Sequence, residues 1–153
     1  DAARFTKSLI REQRLTVSAG ASYDAMARGP GLFYLDGAPS KGRTRADLEA
    51  GFRAEIARVV QDGVAPDELA RARAQLVAGQ IYKLDSMFAQ AMEIGQLEAV
   101  GIANGHGKRI IEKFQAVTAE AVQAVARKYF VDERLTVAEL DPLPSAPLKE
   151  AGQ

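Results

Sequence analysis

Apolar and small residues alternate in an early segment of the chain, which predicts a β-hairpin. From Leu15 to Tyr23, the odd-numbered positions carry Leu, Val, Ala, Ala and Tyr, and the even-numbered ones carry Thr, Ser, Gly and Ser. A turn rich in glycine and proline, Ala27 to Gly31, separates this run from a second apolar run, Leu32 to Gly37. Two such runs around a short turn predict paired antiparallel strands.

Helical spacing governs most of the remaining chain. Asp1 to about Gln13 is predicted to be a helix, with apolar residues on one stripe. Thr44 and Asp47 resemble a capping box at the start of a second helix, which Gly63 ends. The later predicted elements are a helical stretch from Pro66 towards Val100 with a break at Leu84 to Ser86, a loop Gly101 to Gly107, helices Lys108 to Gln115 and Ala119 to Phe130, and a closing strand Arg134 to Leu140.

Strands and helices are segregated along the chain, which favours an α+β fold. We expect an antiparallel sheet with helices packed on one face. Because the chain opens without a helix start signal, the domain, residues 1–141, is expected to be incomplete at its N-terminus and to lack its first strand. Residues 142–153 contain three prolines and are expected to form a flexible tail.

Composition excludes several classes of function. The 153 residues are 47% hydrophobic and 26% charged, as in ordinary globular domains. Lysine and arginine together equal aspartate and glutamate, 20 against 20, so no net charge draws the chain to nucleic acid or to an anionic membrane. The absence of cysteine excludes disulfides, thiolate metal sites and a cysteine nucleophile.

No catalytic or metal-binding constellation is evident, so the predicted catalytic, cofactor and metal residues are none. The single histidine, His106, has no second histidine with which to share a metal, and is interpreted as a loop residue. Serines 18, 22 and 86 lack the setting of a nucleophile. The helical acids are interpreted as solvated faces; they are Asp47, Glu49, Glu55, Asp67, Glu68, Glu93 and Glu98. Met87, Phe88 and Met92 are interpreted as core.

Three stretches together resemble a known family. They are "LIREQRLTVSAGASYD", "GLFYLDGAPSKGRTRADLEAGFRAEIARVVQDGVAPDELARARAQLVAGQIYKLDS" and "FQAVTAEAVQAVARKYFVDERLTVAEL". Their order is similar to that of the C-terminal domain of bacterial zinc metallopeptidases of the insulinase, or pitrilysin, family. The resemblance runs from about Phe5 to Leu140. It rests on the order of the elements, since no single motif is diagnostic.

The resemblance implies two α+β halves that enclose a chamber and have different roles. The zinc site, His-x-x-Glu-His with a distant glutamate, belongs to the N-terminal half, and this sequence has no such motif. The chain would then form the opposite wall, pair with a catalytic half of the same or another chain, and help enclose a peptide. No zinc is expected in this chain itself. The family also implies a bacterial, periplasmic location.

Some relatives place an arginine and a tyrosine on this wall, facing the substrate. Arg11 falls near the arginine position, but Val17 stands where the tyrosine would be, and valine donates no hydrogen bond. Whether Arg11 contacts substrate is therefore left open, and we favour a helix-end cation as its role. The stretch from Leu9 to Asp24 thus indicates a wall and not an active site.

Two further interpretations are kept open. The chain is alternatively a scaffold or assembly module from a relative that has lost its zinc site, acting with a partner chain or as a homodimer. It is otherwise an unrelated α+β ligand-binding domain, in which "GIANGHGK" or the sheet face binds a small molecule. The peptidase and the scaffold interpretations both expect an N-terminal half, and they differ in whether that half carries the His-x-x-Glu-His zinc ligands. The ligand-binding interpretation expects no such half.

Overall fold

The computed structural model describes residues 3–102 and 106–141, and only the backbone of residues 106–109. The elements, in chain order, are a π-helix (Thr6–Glu12), strands β1 (Thr16–Tyr23) and β2 (Phe33–Pro39), helices α1 (Arg45–Asp62), α2 (Pro66–Lys83), α3 (Met87–Ala99), α4 (His106–Ala116) and α5 (Ala119–Tyr129), and a 3₁₀ turn (Asp132–Arg134). The α+β prediction is confirmed. Helix α4 starts inside the predicted loop, at His106, and the predicted tail, 142–153, lies outside the described residues.

The two strands form the predicted antiparallel hairpin. Its register pairs Ala19 with Gly37, Ala21 with Leu35 and Tyr23 with Phe33, and we call the side that carries these pairs the inner face. The side chains of the intervening pairs point to the opposite side of the hairpin, which we call the outer face. These pairs are Ser18 with Ala38, Gly20 with Asp36 and Ser22 with Tyr34. Each face therefore draws its residues from both strands.

The start of β1 departs from the predicted alternation. A β-bulge lies between Thr16 and Ser18, so the side-chain parity of the strand changes there. Thr16 is 1% exposed and Val17 is 66% exposed, the reverse of what strict alternation predicts. The Thr16 hydroxyl lies 2.5 Å from the carbonyl oxygens of both Ser18 and Ala38. Donating a hydrogen bond to these carbonyl groups satisfies the buried hydroxyl.

The core lies where α1 and the π-helix meet the inner face. Leu9, Leu15, Leu48 and Phe52 form a buried cluster, and Phe5, Ala19 and Leu35 pack against it. Phe5 meets Phe52 edge to face, with ring centroids 5.1 Å apart, a geometry that aromatic pairs favour. The core thus joins helical and strand residues that are far apart in sequence.

Gly37 allows α1 to approach the inner face closely. A β-carbon at this position would lie 2.7 Å from the Ser18 carbonyl oxygen and 3.3 Å from both Leu48 and Phe52. Because the nearest atom belongs to the backbone of β1, the sheet itself would have to move to accept a side chain. Glycine is required at this position for packing and not for a turn.

The predicted helix boundaries are largely confirmed. Thr44 accepts a hydrogen bond from the Asp47 backbone N–H, and the Asp47 carboxylate accepts one from the Thr44 N–H, which completes the capping box. Gly63 ends α1 with a φ of 76°, and Pro66 opens α2. At the predicted break, Ser86 caps α3 through the Ala89 N–H.

The predicted closing strand is wrong. Residues 135–140 form no sheet hydrogen bonds in the described part of the chain, because no strand lies beside them there. Ion pairs hold this end of the chain along α1 instead. Arg53 binds Asp132 at 2.6 Å, and Arg45 binds Glu139 at 3.2 Å and also Asp141.

The interpretation of Met87, Phe88 and Met92 as core is also wrong. These side chains are 88%, 76% and 48% exposed. Neighbouring apolar residues at the end of α2, Tyr82 and Leu84, are 72% and 62% exposed. Helical periodicity reveals an apolar stripe, but it does not reveal whether a partner covers it. We call these five residues the helical tip.

We expect the substitution Gly37→Ala to lower the free energy of unfolding by about 1–3 kcal/mol, because the added methyl group overpacks the contact between α1 and β1. The matched control is Gly79→Ala in α2, where an added β-carbon meets nothing within 4 Å. This control should raise stability by about 0.5–1 kcal/mol through helix propensity. Urea unfolding followed by circular dichroism measures both; equal effects would contradict the packing argument.

The capping box predicts a pH dependence. The Thr44 backbone N–H and hydroxyl hold the pKa of Asp47 below its ordinary 3.8. Because the pKa is lower in the folded state, the ionised Asp47 carboxylate stabilises the fold above about pH 4. This stabilisation is lost as the pH falls through the folded-state pKa. The variant Asp47→Asn, which cannot titrate, should lose less thermal stability than the wild type between about pH 5 and about pH 2. If the melting temperatures of the wild type and the variant fall by the same amount over this pH range, the prediction is wrong.

Candidate functional site

The outer face of the hairpin combines exposure with small side chains. Ser18, Ser22, Tyr34 and Asp36 are exposed, and Gly20 is half-buried. No helix of the described residues covers this face, since α1 packs on the inner one. Small residues leave the backbone of the sheet accessible, so another chain can approach it closely. The outer face is therefore the candidate functional surface.

Asp36 supplies the charge of the outer face. A β-carbon at Gly20 would lie 2.7 Å from the Asp36 Oδ1 atom, so the carboxylate lies across the glycine of the neighbouring strand. The carboxylate has no ion-pair partner among the described residues. It can accept hydrogen bonds from a ligand or attract a cation. Sequence reasoning overlooked Asp36 and Tyr34, although their spacing in β2 places both on the face of Ser18 and Ser22.

Arg11 and Val17 lie close in sequence but differ in setting. Arg11 is exposed in the last turn of the π-helix, where a cation suits the helix dipole. Val17 is 66% exposed at the bulge and offers no hydrogen-bonding group. This setting agrees with the interpretation of Arg11 as a helix-end cation.

The remaining candidates of the sequence are dispersed. Ser18 and Ser22 lie on the outer face, and Ser86 caps α3. The side chain of His106 lies outside the described residues. No group of three or more histidine, aspartate or glutamate side chains in the described part of the chain is arranged to hold a metal ion. The described residues therefore do not fit a zinc site.

The sequence predicted that Glu55 lies on a solvated face, and this prediction is wrong. The residue is 1% exposed and is therefore buried. Its Oε1 atom accepts hydrogen bonds from the Ser8 hydroxyl at 2.5 Å and from Arg58 at 2.6 Å. The Ser8 hydroxyl also accepts one from the Gln13 amide at 2.7 Å. A buried carboxylate is tolerated when such donors replace its water. The signal that could have revealed Glu55 is its helical spacing from Leu48 and Phe52.

Arg4 extends this network to α2. It donates two hydrogen bonds to the Glu68 carboxylate, at 3.0 and 2.7 Å, and lies 3.9 Å from Glu55. Glu68 is thus also paired and not merely solvated. A cavity of about 360 Å³ beside the network is lined by four basic and four acidic residues, so its charge is balanced. We assign the network a structural role, since it connects the π-helix, α1 and α2.

Asp47 and Asp67 are exposed, as the sequence predicted, whereas Glu93 is half-buried and pairs with Lys83 at 3.4 Å. Arg71 lowers the pKa of Asp67 through a hydrogen bond of 2.6 Å. The backbone N–H of Glu120 and the hydroxyl of Thr118 lower the pKa of Glu120 at the start of α5. Glu49 pairs with Arg53 one helical turn away. These are local contacts at helix surfaces and starts, and they indicate stabilisation of helices and not catalysis.

An apolar cleft opens on the inner side of the hairpin. It has a volume of about 370 Å³, and its walls are formed by both strands, the start of the chain, α1 and Phe130. Phe130 contacts Phe33 edge to face at 5.0 Å.

Within the described residues, no helix combines the length and hydropathy needed to cross a bilayer.

Two solved structures share this architecture. A protease from Helicobacter pylori matches 87% of this chain and 32% of its own, with a TM-score of 0.76 and 16% sequence identity. The inactive peptidase domain of a protein proposed to be a zinc protease, from Bordetella parapertussis, matches 96% of this chain and 79% of its own, with a TM-score of 0.77 and 16% identity. The chain has the fold of these peptidase domains.

At this identity the likeness establishes the fold alone. The chain spans about a third of the Helicobacter protease. No protein-family model matches the sequence, and no curated protein matches it. The fold expected from the resemblance to the C-terminal domain of insulinase-type zinc peptidases is confirmed, with the last strand as the exception.

We expect Glu55→Gln to lower the free energy of unfolding by about 1–3 kcal/mol, because it removes the charge that Arg4 and Arg58 surround. The figure is modest because Arg58 is 54% exposed and regains water. The control Glu49→Gln, at an exposed pair, should change stability by less than about 0.5 kcal/mol. Chemical unfolding measures both, and a Glu55→Gln variant as stable as the control would contradict the structural role of the network.

Proposed function

We propose that the chain is the non-catalytic half of a zinc metallopeptidase, forming one wall of its chamber and helping to enclose a peptide substrate. The observation that carries the proposal is the shared fold with an inactive peptidase domain over 96% of the chain. No group of three or more metal-ligating side chains is arranged to hold a metal ion among the described residues, and the proposal assigns the zinc and its chemistry to a separate half. That half would carry His-x-x-Glu-His, in which the glutamate activates the attacking water.

The outer face supplies what such a wall requires. Ser18 and Ser22 present hydroxyl groups that both donate and accept hydrogen bonds, and Asp36 presents acceptors only. Gly20 leaves space between them. An extended peptide carries one donor and one acceptor for each residue, so a polar surface of small side chains can lie against it without steric conflict. The role of the wall is to position the peptide and to exclude water.

The test begins with the chain alone. Purified residues 1–153, dialysed against zinc, should retain less than one zinc ion per chain by atomic emission and should leave a quenched fluorescent peptide intact. The chain is then expressed together with a polypeptide from the same genome that carries His-x-x-Glu-His. Cleavage should require both polypeptides. Stoichiometric zinc and cleavage by the chain alone would contradict the proposal.

The outer face is tested in the reconstituted enzyme. Ser22→Arg places a large cation on the face and should raise KM by about tenfold or more with little change in kcat, since it obstructs peptide binding and not the chemistry. The matched control, Gln75→Arg, makes the same kind of change at an exposed position of α2 and should leave KM unchanged. Equal values of KM in the two variants would remove the outer face from substrate binding.

The alternative is a scaffold that has kept the fold without the reaction. The Bordetella structure with the same fold is an inactive peptidase domain, so this fold occurs without the reaction. The same experiment separates the two, since a scaffold would form a stable complex with its partner half and the complex would leave the peptide intact. Localisation in a bacterial periplasm forms part of the proposal and rests on the family resemblance.

A further inference from the structure

Asp36 is a charged side chain without a partner in the middle of the outer face. It is exposed, and its carboxylate forms neither an ion pair nor a hydrogen bond with a described residue. Its two oxygen atoms lie 2.7 and 2.9 Å from the position that a β-carbon at Gly20 would take. The carboxylate therefore lies over the surface of the neighbouring strand, where a bound peptide would pass.

Tyr34 places an aromatic ring on the same face as this carboxylate. Tyr34 and Asp36 are two positions apart in β2, so their side chains share the outer face at a spacing of about 7 Å. Tyr34 is 57% exposed, and its ring forms no aromatic pair and holds no cation among the described residues. The residues opposite, Ser22 and Gly20, are too small to cover the ring or the carboxylate. One ligand can therefore reach both groups.

An open carboxylate close to an open aromatic ring favours a cation as the ligand. A guanidinium group forms charge-assisted hydrogen bonds with a carboxylate, and the face of an aromatic ring attracts the same planar cation. Arginine suits both groups better than lysine, because its fork of N–H donors matches two carboxylate oxygens and its plane stacks on a ring. The remaining residues of the outer face are uncharged, so no basic side chain of this face competes for the carboxylate; they are Ser18, Gly20, Ser22 and Ala38.

We propose that the outer face binds a peptide through one arginine side chain, whose guanidinium group pairs with Asp36 and lies against the ring of Tyr34. The peptide backbone then lies along the small residues of β1, where Ser18 and Ser22 supply hydroxyl groups. The inference rests on the proposed function and names its substrate class, which is peptides that contain arginine. Binding of this kind requires neither zinc nor the catalytic half, so the chain alone should show it.

Fluorescence anisotropy of two short, capped and labelled peptides tests the site in the 153-residue chain. The peptides differ only in their central residue, which is arginine in one and its neutral isostere citrulline in the other. The wild type should bind the arginine peptide about tenfold more tightly, and added salt should reduce this preference. Asp36→Asn should reduce the preference to about twofold, which the ring retains. The double variant Asp36→Asn, Tyr34→Leu should show no preference.

The matched control is Asp85→Asn, which makes the same change at an exposed position between α2 and α3. This control should keep the wild-type preference, and its loss here would assign the preference to overall charge and overturn the inference. Equal affinity of the wild type for the two peptides, an undiminished preference in Asp36→Asn, or no binding of either peptide would overturn it as well. Circular dichroism of each variant confirms that the fold is retained.

This inference and the proposed function fail in different ways. If the reconstituted enzyme cleaves both peptides equally well and the chain binds them equally, the peptidase function stands and the arginine site is wrong. If the chain prefers the arginine peptide but no polypeptide with His-x-x-Glu-His yields cleavage, the arginine site stands and the peptidase function is wrong.

Discussion

Helix α1 meets the inner face of the hairpin at Gly37, and the positions of the other elements follow from this contact. Leu48 and Phe52 reach the sheet only because Gly37 has no side chain. The same two residues close the core against Leu9 and Leu15, which fixes the π-helix at the other side of the cluster. Leu15 donates its backbone N–H to the Leu9 carbonyl at 2.9 Å, so the chain enters β1 directly from the core. The left-handed Arg14, with a φ of 50°, makes this sharp entry at a cost of about 1 kcal/mol or more.

The polar network complements this apolar contact on the same face of α1, one turn further along the helix. Leu48 and Phe52 point to the sheet, while Glu55 is buried against Ser8 and the arginines. One helix therefore organises both an apolar and an ionic interface. A buried carboxylate is a weak source of net stability, but it is costly to leave without its partners. The network thus favours one placement of the π-helix and α2 over others, which leaves the hairpin with a fixed inner and a fixed outer face.

Local rules explain which parts of this fold could be predicted. The capping box at Thr44, the glycine at position 63 and the serine at position 86 act through hydrogen bonds or dihedral angles within a few residues, so the sequence contains the whole interaction. The hairpin follows for the same reason. The closing strand could not be predicted in this way, because β-propensity at Arg134 to Leu140 provides no neighbour with which to pair. Exposure of the helical tip and burial of Glu55 likewise depend on which surfaces meet in space.

The candidate surface was predicted in outline and missed in detail for the same reason. The small residues of β1 are visible as a pattern, but Asp36 enters the outer face only through the register with Gly20. The bulge adds a second non-local effect, since it exposes Val17 and buries Thr16. A single strand thereby provides two distinct surfaces. Its inner side packs against the core, and no helix of the described residues covers its outer side. Because the middle of β1, Ser18 to Ser22, carries only small and uncharged side chains, a substitution that adds bulk there alters the face on which it lies.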